Sequence, residues 1–195
     1  YFGAGTATDA YFVAQTIPEF LFSLVVQAIA IGFIPIYAEI LHNEGRERAD
    51  HFTNSLYWFG FLAVGLLILL VYGFTEPIVK IFASGFDEQT SQMAKEFVRI
   101  AVWGMFFRII SAIDSAYLNA NEEFTVPALT GIPLDIITIV SIYVAFKLKM
   151  PVILAVSIAL SFVGQTALQH PFVLKKKAKL SLRDFTLKSP YIKRI

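Results

Sequence analysis

Asp9, Thr16, Ser23 and Gln27 follow one another at spacings of seven, seven and four residues. On an α-helix, at 100° per residue, those steps keep all four side chains within about 40° of one line. The residues between them are mostly apolar, so a helix here carries a polar stripe on a greasy cylinder. Such a stripe suits the wall of a hydrophilic cavity; the plainer alternative is that Asp9 caps the helix and the other three bond to neighbouring backbone. Arg108 and Asp114 stand six residues apart, roughly 120° round a helix axis, so each needs a partner elsewhere. Asp135 lies inside an apolar stretch and also needs a partner or water. Gln165 and Gln169 stand one helical turn apart, suited equally to interhelical hydrogen bonds and to contact with a polar ligand.

Catalytic patterns are missing. There is no phosphate-cradling GxxxxGK, no HExxH, no GxSxG and no pair of histidines at ligand spacing. The chain has no cysteine, which removes thiol nucleophiles, disulfides and cysteine metal sites. No catalytic residue, metal or cofactor is expected, and an enzyme is the weakest reading. His42 and His51 are expected to flank a solvated loop, and the adjacent Glu122 and Glu123 to form a solvated turn.

The elements that must position these polar groups are helices in a membrane. Of 195 residues, 56% are apolar and 16% charged, and mean hydropathy is +0.64; soluble domains carry about 25% charged residues. Crossing a hydrocarbon core of about 30 Å takes roughly 20 apolar residues. Five segments meet that length. They run from about Asp9 to Leu41, with Thr8 or Asp9 as cap and Pro18 and Pro35 as causes of a kink or tilt; from Ser55 to Phe74, which holds the uncharged run FGFLAVGLLILLVYGF; from Ser91 to Leu118, interrupted by Lys95, Arg99, Arg108 and Asp114; from Val126 to Phe146; and from Pro151 to Leu174. The last two, joined by the turn KLKMP, are expected to pair antiparallel. Between the second and third segments, TEPIVKIFASGFDEQ predicts a short interfacial helix capped by Thr75, with Ile78, Ile81 and Phe82 on its apolar face. The fold class is therefore all-α, a polytopic bundle over residues 1–174 followed by a basic tail, 175–195.

An ionisable group at the centre of a membrane helix costs about 2.5–3.5 kcal/mol, so it faces a cavity or a partner. Charge in the loops sets the orientation. With five crossings, the Arg46 and Arg48 loop shares a side with the tail of Lys175, Lys176, Lys177, Lys179, Arg183, Lys188, Lys193 and Arg194, while the other side holds Lys80, Lys147 and Lys149. The tail and the Arg46 loop are thus expected in the cytoplasm, with Tyr1 outside. A chain that begins outside without a signal peptide or an initiating methionine implies a preceding helix. The tail lysines suit anionic lipid headgroups, and the net charge of +1 gives no reason to expect a nucleic-acid partner.

The stretch FGAGTATDAYFVAQTIP, Phe2 to Pro18, resembles the opening of the MurJ/MviN family, FGAGxxTDAFFVAxxIP. In order after it, FIPIYAE (Phe33 to Glu39) is similar to the family's FVPIxAE, ASGF (Ala83 to Phe86) to APGF, YLNANEEFTVPALTGIP (Tyr117 to Pro133) to LNxxxxFxxPAxxP, and QTALQHP (Gln165 to Pro171) to QxxxQxP. The resemblance covers nearly the whole chain. It implies a multi-pass protein of the bacterial cytoplasmic membrane, the second to sixth helices of the first lobe of a two-lobed lipid II flippase. Such a protein moves an undecaprenyl-pyrophosphate-linked peptidoglycan precursor outward by alternating access, in service of cell-wall biogenesis and cell shape. Its partners would be that polyprenyl-pyrophosphate lipid, membrane lipids and the remaining helices of the full-length protein. Asp9 matches a family aspartate associated with function, and Asn119 falls within the LNxxxxF landmark; both join Thr16, Ser23, Gln27, Arg108, Asp114, Asp135, Gln165 and Gln169 as candidates for the substrate cavity.

One departure bears on cargo. After the IP, the family often has NLLRRLFAEG, where this chain has EFLFSLVVQAI: Phe22 and Ser23 replace two arginines, Gln27 a glutamate, and Glu19 an asparagine. A pyrophosphate needs cations, and this segment supplies none. Another exporter of the same superfamily, carrying a drug or a polysaccharide lipid, is therefore a rival reading, and a non-transporting membrane scaffold is a second.

Overall fold

The computed structural model describes residues 5–176, and every regular element among them is helical. Helix α1 runs Thr6–Asn43 and α2 Arg46–Gly73; a short α3, Thr75–Phe82, precedes α4, Glu88–Ala101. A single 3-10 turn, Val102–Gly104, joins α4 to α5, Met105–Ala120. The described residues finish with α6, Thr125–Ala128, α7, Gly131–Leu148, and α8, Val152–Lys175.

Among the described residues four stretches are long and apolar enough to cross a membrane: Thr6–Asn43, Arg46–Gly73, Thr125–Leu148 and Val152–Lys175. The expected Ser91–Leu118 span differs, because it is divided at the 3-10 turn into α4 and α5. The backbone at Ala101, Val102, Gly104 and Met105 stays right-handed helical, so the two halves continue one into the other. The fourth expected helix is likewise divided, into α6 and α7.

Several boundaries move. Helix α2 starts at Arg46, nine positions before the expected Ser55: RERADHFTN is helical though not apolar, and Arg46 and Asp50 tie it to Tyr117 of α5. The link to α1 is only Glu44 and Gly45, whose φ of 85° favours glycine. His42 and His51 thus sit on helices. Gly5, and neither Thr8 nor Asp9, is the N-cap of α1, and the helix runs unbroken through Pro18 and Pro35. Thr75 does not cap α3; its hydroxyl donates back to the Val71 carbonyl at 2.6 Å. The inward side of α3 is Thr75, Val79 and half-buried Ile78, while Ile81 is 77% exposed and Phe82 meets Phe20 of α1 edge-on. Helix α7 ends on left-handed Lys149 before Pro151, a stop that leads straight into α8.

Helix α5 is the centre of the bundle, with α1, α2 and α8 around it, and α7 packs outside α8. Of α7 only Ser141 and Ala145 are buried; Ile132, Ile136 and Ile139 are exposed. The stacked rings of Phe33, Tyr37 and Phe52, with Tyr117 edge-on to Tyr37, fill the core between α1, α2 and α5. Against α8 the approach depends on Gly104: a Cβ there would lie 2.6 Å from the Ala159 Cα and 3.0 Å from the Phe162 ring.

Gly104→Ala is expected to force the two helices apart and lower stability in detergent by about 1–3 kcal/mol. Gly65→Ala, where a Cβ meets nothing within 4 Å, should be neutral or raise it by up to about 1 kcal/mol. Thermal unfolding of the two variants checks the packing; equal losses would contradict it.

Candidate functional site

Ser23 and Gln27 of the α1 stripe open onto a hollow of about 260 Å³ between α1 and the start of α5, whose floor and rim are Glu19, Phe22, Met105 and Arg108. Arg108 is half-buried, its guanidinium carbon 5.5 Å from the centre of the Phe162 ring on α8, a face-on contact that holds a cation without neutralising it. Glu19 is the acidic group in the same hollow. The hollow therefore offers one guanidinium, one carboxylate, one amide and one hydroxyl against two apolar walls. Ser23 also donates to its own helix, at the Phe20 carbonyl, 2.7 Å away. Asp9 and Thr16 lie exposed on the same stripe nearer the start of α1, and Asp135 is exposed on α7; none of the three lines the hollow.

The other candidates gather in a different place. Asp114 is fully buried. It accepts a short hydrogen bond from the Tyr57 hydroxyl of α2, and His170 Nδ1 of α8 lies 3.1 and 3.3 Å from its two oxygens. Three helices are thus held by one carboxylate. One turn away, Gln169 donates to Ser111 Oγ at 2.7 Å and accepts from Ser115 Oγ at 2.6 Å. Thr166 extends the seam by donating to the Phe107 carbonyl at 2.9 Å. Gln165 is buried on the same helix and Asn119 half-buried near the end of α5.

At the far end of α5 a polar knot ties four helices. Arg46 Nη2 donates to the Tyr117 hydroxyl and to Asn121 Oδ1, each at 3.1 Å, and to the Lys176 carbonyl at 3.2 Å. Tyr117 donates to Asp50 at 3.3 Å, and Asn121 reaches Tyr37 of α1 at 3.4 Å. Arg46 and the start of the basic tail therefore share one end of the bundle; residues 177–195, with the rest of the tail, lie outside the described residues.

Tyr57, Ser111, Ser115 and His170 were not among the candidates read from sequence. Part of the signal was there: Ser111, Asp114 and Ser115 share one helix face, and Gln165 and Gln169 share another. Tyr57 had no local mark, being one tyrosine among eight.

A double-mutant cycle of Tyr57→Phe and Asp114→Asn should give a coupling of about 0.6–2 kcal/mol in detergent unfolding. Purely additive losses would mean that the hydrogen bond does not hold α2 to α5.

The comparisons agree with this architecture. The family model described as lipid II flippase MurJ matches residues 1–195. The lipid II flippase MurJ of Thermosipho africanus is 32% identical over 148 residues, 75% of this chain and 30% of the relative. That of Burkholderia cenocepacia is 31% identical over an alignment that covers all of this chain and 39% of the relative. A solved structure titled lipid II flippase MurJ, inward closed conformation, superposes with a TM-score of 0.77 at 27% identity, over 90% of this chain and 37% of that one. The chain thus spans between about three and four tenths of the length of these relatives. Its helices, its sequence landmarks and these matches place the chain in the MurJ family of multi-pass membrane proteins.

Proposed function

We propose that this chain builds one wall of the cargo path of a lipid II flippase, with the Ser23, Gln27 and Arg108 hollow as the place where that wall meets the polar head of a polyprenyl-pyrophosphate lipid. The observation that carries the reading is Arg108: a guanidinium inside an apolar stretch is costly, and it opens, with Glu19 at the same hollow, on the polar stripe of α1 rather than on the hydrogen-bonded seam of α8. The hollow also lies beside Phe22 and Ser23, the positions where the family pattern has its arginines. Arg108 therefore supplies, from α5, the cation that α1 lacks. Alternating access places a cargo site between two moving walls, and one wall of charge and hydroxyl with apolar flanks is what this bundle provides. Asp9, Thr16 and Asp135, exposed on helices that enter the bilayer, extend the polar lining in this proposal. The Arg46 end, rich in lysine and arginine, is the cytoplasmic end.

Glu19 favours a second reading. A carboxylate beside the single arginine leaves the hollow without net charge, which suits a less anionic cargo carried by another exporter of the same superfamily.

Binding of a fluorescent polyprenyl-pyrophosphate lipid to the purified protein in detergent separates the two. A hydrogen bond to a charged group is worth about 1.5–3 kcal/mol, so Arg108→Gln is expected to weaken binding roughly 10- to 100-fold, and Glu19→Gln to tighten it. Unchanged affinity in Arg108→Gln would remove the hollow from the cargo path; a parent affinity for the pyrophosphate lipid no higher than for an uncharged polyprenol of the same length would favour the second reading.

A further inference from the structure

Lys95, Arg99, Trp103 and Phe106 lie along one line of α4, the 3-10 turn and α5, at spacings of four, four and three. The line passes from cation to indole to hydrocarbon, which is the order of groups along a membrane lipid. Opposite it, α2 presents Leu66, Leu69 and Tyr72, all exposed. Between them lies an apolar groove of about 370 Å³, bounded by Phe61, Gly65, Leu66, Leu69, Trp103 and Phe106. Gly65 opens its floor, because a Cβ built there meets nothing within 4 Å.

The head of the groove is polar and ordered. Trp103 Nε1 donates to the Tyr72 hydroxyl at 2.8 Å, Tyr72 donates to the Arg99 carbonyl at 3.1 Å, and Arg99 Nε lies 3.4 Å from Thr75 Oγ1. Tyrosine and tryptophan sharing hydrogen bonds beside apolar surface mark a bilayer interface. Around this head Lys80, Lys95 and Arg99 stand with Glu76, Glu88 and Glu96. Glu76 is engaged by Lys80 at 2.9 Å, which with Lys95 nearby holds its carboxyl below the usual range. The two basic side chains on the groove line, Lys95 and Arg99, stand one turn apart, close enough to share a single phosphate.

We propose that this groove binds one anionic phospholipid from the bilayer, its phosphate at Lys95 and Arg99 and one acyl chain laid against Leu66, Leu69, Trp103 and Phe106. A single acyl chain fits along a groove of this volume, and the cations at its head favour a phosphate-bearing occupant over the apolar ridge of another helix. The site is separate from the Arg108 hollow, since Trp103 and Arg108 lie about 140° apart round the helix, and it stands whether or not that hollow carries cargo.

The two tryptophans of the chain make the test direct. In a Trp58→Phe background Trp103 is the only reporter, and the whole chain is reconstituted in phosphatidylcholine vesicles carrying rising fractions of brominated phosphatidylglycerol or brominated phosphatidylcholine. Quenching is expected to saturate at a several-fold lower fraction of the anionic lipid. Lys95→Gln and Arg99→Gln should each cut that preference by about fivefold, and together abolish it. Gly65→Leu, which has open space to fill, should remove the saturable part with helicity unchanged by circular dichroism. Equal quenching by the two lipids in the parent, or a preference that survives Lys95→Gln with Arg99→Gln, would overturn the proposal. Relief of quenching by a polyprenyl phosphate at a lower fraction than unlabelled phosphatidylglycerol would overturn the choice of a phospholipid.

Discussion

A carboxylate with no exposure, on the central helix of a membrane bundle, has to be answered by neighbouring helices, and much of this structure follows from how Asp114 is answered. Tyr57 reaches it from α2 and His170 from α8, which fixes the rotation of three helices about their axes at once. In water such bonds exchange with solvent at small net gain; in hydrocarbon no solvent can replace them. The Gln169 bonds to Ser111 and Ser115 repeat the logic one turn on, and the close approach at Gly104 lets the α5 and α8 backbones come near enough for these short side chains to meet.

That seam commits one face of α5 and leaves another free. Arg108, about 120° round from Asp114, has an aromatic face beside it and opens on Glu19, Ser23 and Gln27 of α1. The bundle thus separates its polar groups into two kinds: those consumed in holding helices together, and those left toward an open hollow. In the proposed function, the second kind is where cargo meets this wall. The Arg46 knot completes the first kind at the opposite end of α5, closing α1, α2 and α8 around Tyr117 and Asn121.

The helices were legible because length and hydropathy are enough to mark a membrane span. Their limits were less so. RERADHFTN at the start of α2 looks like a loop to a hydropathy argument, yet it is a helical turn and more, held by Arg46 and Asp50 to residues on α5. The 3-10 turn at Val102–Gly104 depends on what Gly104 packs against, which no local pattern shows. Of the site candidates, Ser23, Gln27 and Arg108 come together in space, whereas Asp114 and Gln169 turn inward to partners far along the chain. Spacing can put residues on one face of a helix; only packing decides what that face meets.

In the proposed cargo wall the α1 stripe borders water while the neighbouring face borders lipid. Because the chain has no cysteine, single cysteines at Ser23, Gln27 and Leu24, the last 77% exposed on the adjoining face, can be compared in liposomes with a charged, membrane-impermeant thiol reagent. Ser23→Cys and Gln27→Cys are predicted to react many times faster than Leu24→Cys. Equal, slow reaction at all three positions would show a stripe that is dry and no part of a cargo path.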